Sequence, residues 1–287
     1  MIIDGYVKNT TDLLYSKPTF ATSGTTAIMS NVGSIRNKGI EVTIGGNLDL
    51  GPVHWTTSFN IAHNKNTVTS ITGNDDLIAI GNNRVLKVGE EVGTYYLFKF
   101  DGVYQYDAEV PEALYAEGVR AGDFRYANLD GDAKNLINDT DRAVKYSSGS
   151  KIYFGEGSSL TRCGTGMGVM EKVALNRWTG PGSTNVYARA ITGSSWNVKN
   201  SDYFLYDGSF IRLRSLTLSY NFGKKVLEKI HMKGLRVFAQ GDNLFLLTRY
   251  PGYDPEVSSN LDARYFGVDA LNVPQPRTVT FGLNLTF

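Results

Sequence analysis

The closing stretch of the chain, RTVTFGLNLTF, is the feature that most restricts what this sequence can fold into. Apolar residues alternate with Thr, Gly and Asn along it, without a break, up to Phe287. Because successive side chains of a strand point to opposite faces, the pattern predicts a strand with one apolar and one polar face. In a soluble sheet the apolar face would cover a core, whereas in a membrane barrel it would contact lipid and the polar face would line the lumen. The function depends on which of these two settings holds.

The composition favours an all-β protein. Gly, Tyr, Asn and Thr are abundant and helix-forming residues are few, with 31 glycines and 12% aromatic residues. The net charge of +1 gives no support for binding nucleic acid, and the single cysteine, Cys163, excludes an internal disulfide. No stretch approaches the ~20 apolar residues of a membrane helix, but barrel strands would not give that signal.

Alternating patterns recur along the chain and predict about eight to eleven antiparallel strands joined by short turns and very long loops, as in outer-membrane barrels. Ile211 and Leu213 have the opposite parity from Leu216 and Leu218, which predicts a bulge near Arg214 or the emergence of this strand from an apolar layer. Strand-like stretches cover 2–14, 37–50, 54–68, 94–106, 203–222, 233–247 and 278–287; residues 15–36, 107–184 and 250–276 are expected to be loops, and 223–232 a short helical turn.

Five stretches, in this order, give the chain a resemblance to a known family: NVGSIRNKGIEVTI, FNIAHNKNTVTSI, DGSFIRLRSLTLSYNF, LRVFAQGDNLFLLTRYPGYDPEV and PRTVTFGLNLTF. Together they resemble the C-terminal part of SusC/RagA-family TonB-dependent outer-membrane transporters. The resemblance implies an all-β fold, the C-terminal portion of an antiparallel transmembrane β-barrel with long extracellular loops. It also implies a place in the cell outer membrane, as part of the full-length protein, and the import of oligosaccharides or, in some members, peptides.

The resemblance implies partners as well: a SusD-like surface lipoprotein, TonB acting through a plug, the barrel-assembly machinery, outer-membrane lipid and a glycan or peptide cargo, with no nucleic acid. Residues 1–287 are expected to form one C-terminal β-barrel region, without the plug domain, TonB box or signal peptide. The opening MIIDGYVKNTTDLL lacks the charged and apolar regions of a signal peptide, and residues 145–176 fit the family poorly. We therefore expect a C-terminal fragment of a transporter.

The first candidate site is an acidic loop, YANLDGDAKNLINDTDR. Its oxygen-bearing side chains alternate in a way that suits Ca²⁺, which takes six to eight oxygen ligands from a flexible loop. The register differs from an EF-hand, because Ala133 stands where the turn glycine would be. Asp and Asn also serve in ordinary solvated turns, so that interpretation stays open. The candidate calcium ligands are Asn128, Asp130, Asp132, Asp139 and Asp141, and no cofactor is otherwise required.

Two further candidate sites lie nearer the C-terminus. The loop beginning GYDPEV combines rings that could stack on a sugar with carboxylates that could accept its hydroxyls, and by resemblance it is extracellular and near the lipoprotein lid; a loop ordered by its prolines is the alternative. Its candidate residues are Tyr253, Asp254, Glu256 and Tyr265. By resemblance, the closing strand is a barrel-assembly signal carried by Phe281, Leu285 and Phe287. Aromatic residues at strand ends, among them Tyr95, Tyr220 and Tyr250, are candidates for interfacial girdles.

Two other classes of function stay open at this point. A soluble carbohydrate-binding β-sandwich would use the same alternating strands, and a glycoside hydrolase would need two suitably spaced acids. The three histidines show neither zinc-ligand spacing nor a Ser-His-Asp set. The resemblance favours a transporter, and no enzymatic activity is expected.

Overall fold

The computed structural model describes residues 1–18, 27–50, 53–71, 77–80, 83–146, 151–154, 171–191, 195–256, 267–269 and 273–287. Strands dominate these residues, which also contain three short α-helices, α1 (Glu112–Ala116), α2 (Glu171–Asn176) and α3 (Lys224–Lys229). The strands are β1 (Ile2–Pro18), β2 (Ala27–Leu50), β3 (Val53–Ile71), β4 (Leu77–Ile80), β5 (Arg84–Lys87), β6 (Thr94–Phe98), β7 (Phe100–Val103), β8 (Phe124–Tyr126), β9 (Arg142–Tyr146), β10 (Lys151–Phe154), β11 (Leu205–Asp207), β12 (Phe210–Asn221), β13 (Gly234–Thr248), β14 (Val268–Asp269) and β15 (Thr278–Thr286). Within these ranges, no helix is both long and apolar enough to cross a membrane.

The long strands form one antiparallel sheet in the order β1-β2-β3-β12-β13-β15, which we call the wall. At one end of the wall, neighbouring strands are joined by residues 51–52 and by residues 222–233, which include the predicted helical turn as α3. At the other end, the connections are residues 19–26, 72–209 and 249–277. The two very long connections therefore lie at the same end, as predicted, but the connection 19–26 at that end is shorter than the connection 222–233 at the other end.

Over Ser215–Asn221 of β12 and its partners in β13 and β15, the wall has one apolar and one mostly polar face. Cross-strand neighbours on the apolar face form the rows Leu216–Gly241–Val279, Leu218–Ala239–Phe281 and Tyr220–Val237–Leu283. The opposite face carries the rows Thr217–Gln240–Thr280 and Asn221–Arg236–Asn284. The apolar rows are open to the surroundings, because Phe281 is 78% exposed and Leu283 is 60% exposed. A continuous exposed apolar face of this kind fits contact with lipid better than the core of a sandwich.

A bulge lies beside Arg214, where one was predicted, but its extra residue belongs to β13, so it does not account for the parity change in β12. Two residues of β13, Asn243 and Leu244, lie opposite Arg214 alone. Asn243 has a φ of 54°, a left-handed conformation that Asn tolerates better than most residues. Because the extra residue belongs to β13, β12 keeps its own alternation through the bulge. Ile211 and Leu213 therefore lie on the other face from Leu216.

The connection between β3 and β12 folds into a second body, the loop module, comprising the described residues of 77–207 together with 267–269. Its strands form the small sheets β4-β5-β6-β9, β7-β8 and β11-β10-β14. Aromatic rings fill its core; those of Phe100 and Tyr203 lie 5.0 Å apart, and those of Phe124 and Tyr203 4.6 Å apart. Backbone hydrogen bonds of 2.9 Å from Val68 to Glu90 and from Gly89 to Val68 tie the module to β3.

Several predictions about the strands are wrong. The described residues contain fifteen strands where eight to eleven were expected, and residues 107–184 include β8, β9 and β10. Residues 203–222 were expected to be one strand but are divided between β11 and β12, which belong to different sheets.

Residues 27–36 were expected in a loop but belong to β2, which pairs with β1 up to Pro18. This end of the β1–β2 hairpin extends beyond the apolar rows. Its sequence therefore lacks the alternation of apolar and polar residues that predicted the other strands of the wall. Residues 94–106 contain two strands, β6 and β7, which are separated at Lys99. Tyr95, Leu97 and Phe98 are all buried, because the loop module surrounds β6 on both sides.

Two of the candidate girdle aromatics lie in cores. Tyr95 is completely buried in the main core of the loop module, and Tyr250 is 5% exposed beside Ile152. Tyr220 remains at the end of β12, 39% exposed, with its ring 4.9 Å from that of Phe222. The position of an aromatic residue at the end of an alternating strand therefore does not indicate whether its ring lies in a core or at a membrane interface.

Candidate functional site

The acidic loop between β8 and β9 is organised around Asp141, which is fully buried. Its Oδ1 accepts hydrogen bonds from the backbone N–H groups of Leu129 at 2.7 Å and Asp130 at 3.3 Å. Its Oδ2 accepts from the N–H of Asn138 at 2.9 Å. One carboxylate thus satisfies three backbone donors that the turn would otherwise leave without partners.

The other acids of this loop also bond within it. The Nδ2 of Asn128 donates to Oδ1 of Asp132 at 2.9 Å, and the hydroxyl of Thr140 donates to the carboxylate of Asp130. The Thr140 hydrogen bond, followed by one from the N–H of Asp132, holds the pKa of Asp130 below its ordinary value. These contacts are those of a hydrogen-bonded turn.

The five candidate calcium ligands therefore lie in one loop, with most of their oxygens already used. Asp139 is the exception, 85% exposed and paired with Arg142 at 2.8 Å. In the described part of the chain, no group of three or more His, Cys, Asp or Glu side chains has the geometry to hold a metal ion. Calcium binding stays a prediction, and the turn role is the one that the contacts support.

Asp254 and Glu256 of the second candidate site pair with two arginines of β12. Arg212 Nη2 lies 2.5 Å from Asp254 Oδ1, and Arg212 Nε lies 2.8 Å from Glu256 Oε2. Arg214 Nη2 lies 2.5 Å from Glu256 Oε1. The side chains of Arg212 and Asp254 are each only 3% exposed. These carboxylates therefore fix the loop to the wall.

The aromatic residues near this loop have different environments. Tyr253 is 74% exposed, so its ring is open to solvent. The hydroxyl of Tyr250 donates to Oδ2 of Asp269 at 2.6 Å, and both residues are buried. Burial, reinforced by this hydrogen bond, raises the pKa of Tyr250. Tyr265 lies outside the described residues.

The sequence reasoning missed the two arginines. They stand 42 positions before their acidic partners, so no local spacing links the two sets. The available signal was Arg212 itself, a charged residue between two apolar ones in a strand. A buried charge requires a partner of opposite charge, but the sequence does not indicate which acidic residues supply it.

The role of the closing strand as an assembly signal stays a prediction. Phe281 and Leu285 share the apolar face of the wall, where they pair with Ala239 and Leu235 of β13. Phe287 follows the end of β15 and is 74% exposed. All three side chains therefore lie on or beside the outermost strand of the wall.

The sheet has open apolar rows on one face and polar rows on the other, and a folded loop module lies at one end. These features define the structural class of the chain as the wall of a transmembrane β-barrel with its loops. No protein-family model matches the chain. TonB-dependent receptor P3 of Formosa agariphila is 29% identical over 321 residues, and TonB-dependent receptor SusC of Bacteroides thetaiotaomicron is 30% identical over 319 residues. Each alignment covers 99% of this chain.

The solved structures agree on the fold. The RagAB peptide importer in its closed-closed state aligns with a TM-score of 0.73 at 18% identity, covering 99% of this chain and 33% of that one. The chain spans about a third of the length of the curated relatives, 32% of receptor P3 and 30% of SusC. These likenesses confirm the resemblance to TonB-dependent receptors of the SusC/RagA kind, the barrel fold class and the outer-membrane location.

Proposed function

We propose that this chain forms part of the barrel of an outer-membrane TonB-dependent transporter that imports oligosaccharides or peptides together with a SusD-like surface lipoprotein. The observation that carries the proposal is the match of 99% of the chain to TonB-dependent receptors, including SusC. The open apolar rows of the wall support it physically, because they suit lipid on the outside of a barrel. No bond is made or broken in this function.

The parts of the chain take different roles in this proposal. The polar rows line the conduit, and the loop module with Tyr253 lies on the extracellular side, towards the lipoprotein and its cargo. TonB acts through a plug, to which no stretch of this chain has a resemblance. The barrel-assembly machinery reads the closing strand, and outer-membrane lipid contacts the apolar rows.

Cell fractionation tests the membrane part of the proposal. An antibody against residues 273–287 should detect a band in the outer-membrane fraction that is far larger than the 31.6 kDa of this chain. A membrane band of 31.6 kDa would indicate a reduced barrel whose transport has to be measured separately. A soluble band of that size would contradict the barrel and favour the carbohydrate-binding sandwich.

Uptake assays test the transport part. Cells are supplied with fluorescently labelled oligosaccharides or with labelled peptides, with and without the gene that encodes this chain and with and without TonB. We expect accumulation of one of the two cargo classes that requires both genes. Equal accumulation in all strains would contradict the transport function, and co-purification of a surface lipoprotein with the solubilised protein tests the proposed partner.

A further inference from the structure

A cavity of about 350 Å³ opens on the loop module, and its lining includes none of the site residues predicted from the sequence. Its polar lining comes from Gln105, Glu109, Arg125, Thr184 and Asn185. These residues belong to three separate segments of the chain, which the module's core brings together. The volume is at the small end of the range for sites that bind small molecules.

The walls of the cavity are fixed by hydrogen bonds that involve Gln105. Its Nε2 donates to the carbonyl oxygens of Val103 at 3.0 Å and Thr184 at 3.1 Å. Its Oε1 accepts from the N–H of Gly182 at 2.8 Å. The two segments on either side are therefore held together without a ligand, and the site is preorganised.

Three side chains around this cavity have hydrogen-bonding groups that no described residue satisfies; Glu109 and Asn185 are exposed, and Arg125 is half-buried. Arg125 donates to Asp101 through Nε at 3.0 Å and Nη2 at 2.8 Å, and its Nη1 has no partner among the described residues. Asn185 accepts from Val103 N–H at 2.9 Å, while its Nδ2 bonds to nothing in the described ranges. Glu109 accepts from Gln105 N–H at 2.8 Å through Oε2, and the described residues give its Oε1 no donor.

The charges of the site argue against an anionic ligand. Arg125 is neutralised by its ion pair with Asp101, and Glu109 adds a further negative charge. The groups without a partner among the described residues are two donors, Arg125 Nη1 and Asn185 Nδ2, and one acceptor, Glu109 Oε1. A sugar hydroxyl both donates and accepts, so neighbouring hydroxyls of one ring can satisfy such a mixed set, and planar side chains can bond two of them at once.

We propose that this cavity binds a neutral, polyhydroxylated ligand, a mono- or disaccharide unit of a glycan. This proposal rests on the proposed function, which allows oligosaccharides or peptides as cargo, and it selects carbohydrate. The cavity is a site on the surface of the loop module, and it holds glycan before or during uptake. Asn185 and Glu109 are the residues that contact the sugar through their free atoms.

Calorimetry on the detergent-solubilised full-length protein tests this site, with cellobiose, lactose, mannobiose and, as a peptide probe, tetraglycine. Asn185→Asp keeps the oxygen that accepts from Val103 and loses the Nδ2 donor. Glu109→Gln keeps an oxygen for Gln105 and replaces the free acceptor with a donor. Glu117→Gln, a charge change at an exposed position of the same module, is the matched control.

We expect at least one disaccharide to bind, with at least tenfold weaker affinity in Asn185→Asp and Glu109→Gln and an unchanged affinity in Glu117→Gln. The proposed site would be overturned if none of the three disaccharides bound or if the protein bound tetraglycine more tightly than any disaccharide. Equal affinity of all variants for the disaccharide would also overturn it. Binding in detergent needs no TonB or energy, so this outcome is independent of the uptake assay. Lost uptake with intact sugar binding would contradict the proposed function and leave the site standing.

Discussion

At the scale of single residues, Gly282 shows how the closing strand fits its neighbour. It pairs with Phe238 across β13 and β15. A Cβ at Gly282 would lie 2.3 Å from Cζ of that ring, so a larger residue forces the ring aside. By contrast, a Cβ at Gly46 of β2 would meet nothing within 4 Å.

We therefore expect Gly282→Ala to lower the free energy of unfolding of the full-length protein in detergent by about 1–3 kcal/mol, the usual cost of overpacking. Gly46→Ala is the control and should leave stability nearly unchanged. Thermal or denaturant unfolding followed by circular dichroism measures both. Equal stabilities of the two variants would show that the Phe238 ring moves freely out of the way.

Asp141 carries the second prediction at this scale, because its buried carboxylate accepts three backbone hydrogen bonds. Asp141→Ala should leave these donors unsatisfied, at about 1–3 kcal/mol for each one that stays buried. We expect faster hydrogen exchange across residues 128–141. Asp139→Ala, at an exposed ion pair, should change exchange little.

The same exchange measurement separates the turn from a calcium site. If Ca²⁺ organises the loop, a chelator should open residues 128–141 in the unmodified protein as far as Asp141→Ala does. If the hydrogen bonds of the turn suffice, exchange in the unmodified protein should be the same with Ca²⁺ and with chelator. The contacts in the structure lead us to expect the second result.

At the scale of elements, β12 and the loop after β13 are joined by the ion pairs of Arg212 and Arg214. Replacing Arg212 by Met leaves the carboxylate of Asp254 buried without its cation, which typically costs about 3–5 kcal/mol. Arg214 is 69% exposed, so Arg214→Met should cost only about 0–1 kcal/mol. Limited proteolysis of residues 250–256 should therefore accelerate in Arg212→Met and stay near the original rate in Arg214→Met. Similar rates in both variants would show that the proline-ordered backbone holds the loop alone.

The elements also show how far the sequence could predict this fold. β13 and β15 were recognised because their two faces meet different surroundings, which forces a period of two on the sequence. β6 was misjudged because it is buried on both sides, so Tyr95, Leu97 and Phe98 follow no alternation. The pairing of Arg212 with Asp254 depends on how two distant segments meet, and neither segment carries that information by itself. The cavity of the loop module is hidden for the same reason.

At the scale of the whole molecule, the chain divides its apolar residues between two settings. In the loop module they form a core of packed aromatic rings that excludes water, as in any soluble domain. In the wall, over Ser215–Asn221 of β12 and its partners, they stand open in rows on one face, while the opposite face is mostly polar. Such a wall is stable only where the surroundings of its apolar face are themselves apolar, so the molecule as a whole requires a membrane.

This requirement gives a prediction on two positions of one strand. Leu283 lies on the apolar face of β15 and Thr280 on the polar face, and both are exposed. A lipid-facing arginine costs up to about 2–4 kcal/mol near the bilayer midplane, whereas a lumen-facing one is tolerated. Leu283→Arg should therefore reduce the amount of full-length protein in the outer-membrane fraction, and Thr280→Arg should leave it near the original level. If water surrounded both faces, Leu283→Arg would be at least as well tolerated as Thr280→Arg, and immunoblots of the fractionated cells would show equal amounts.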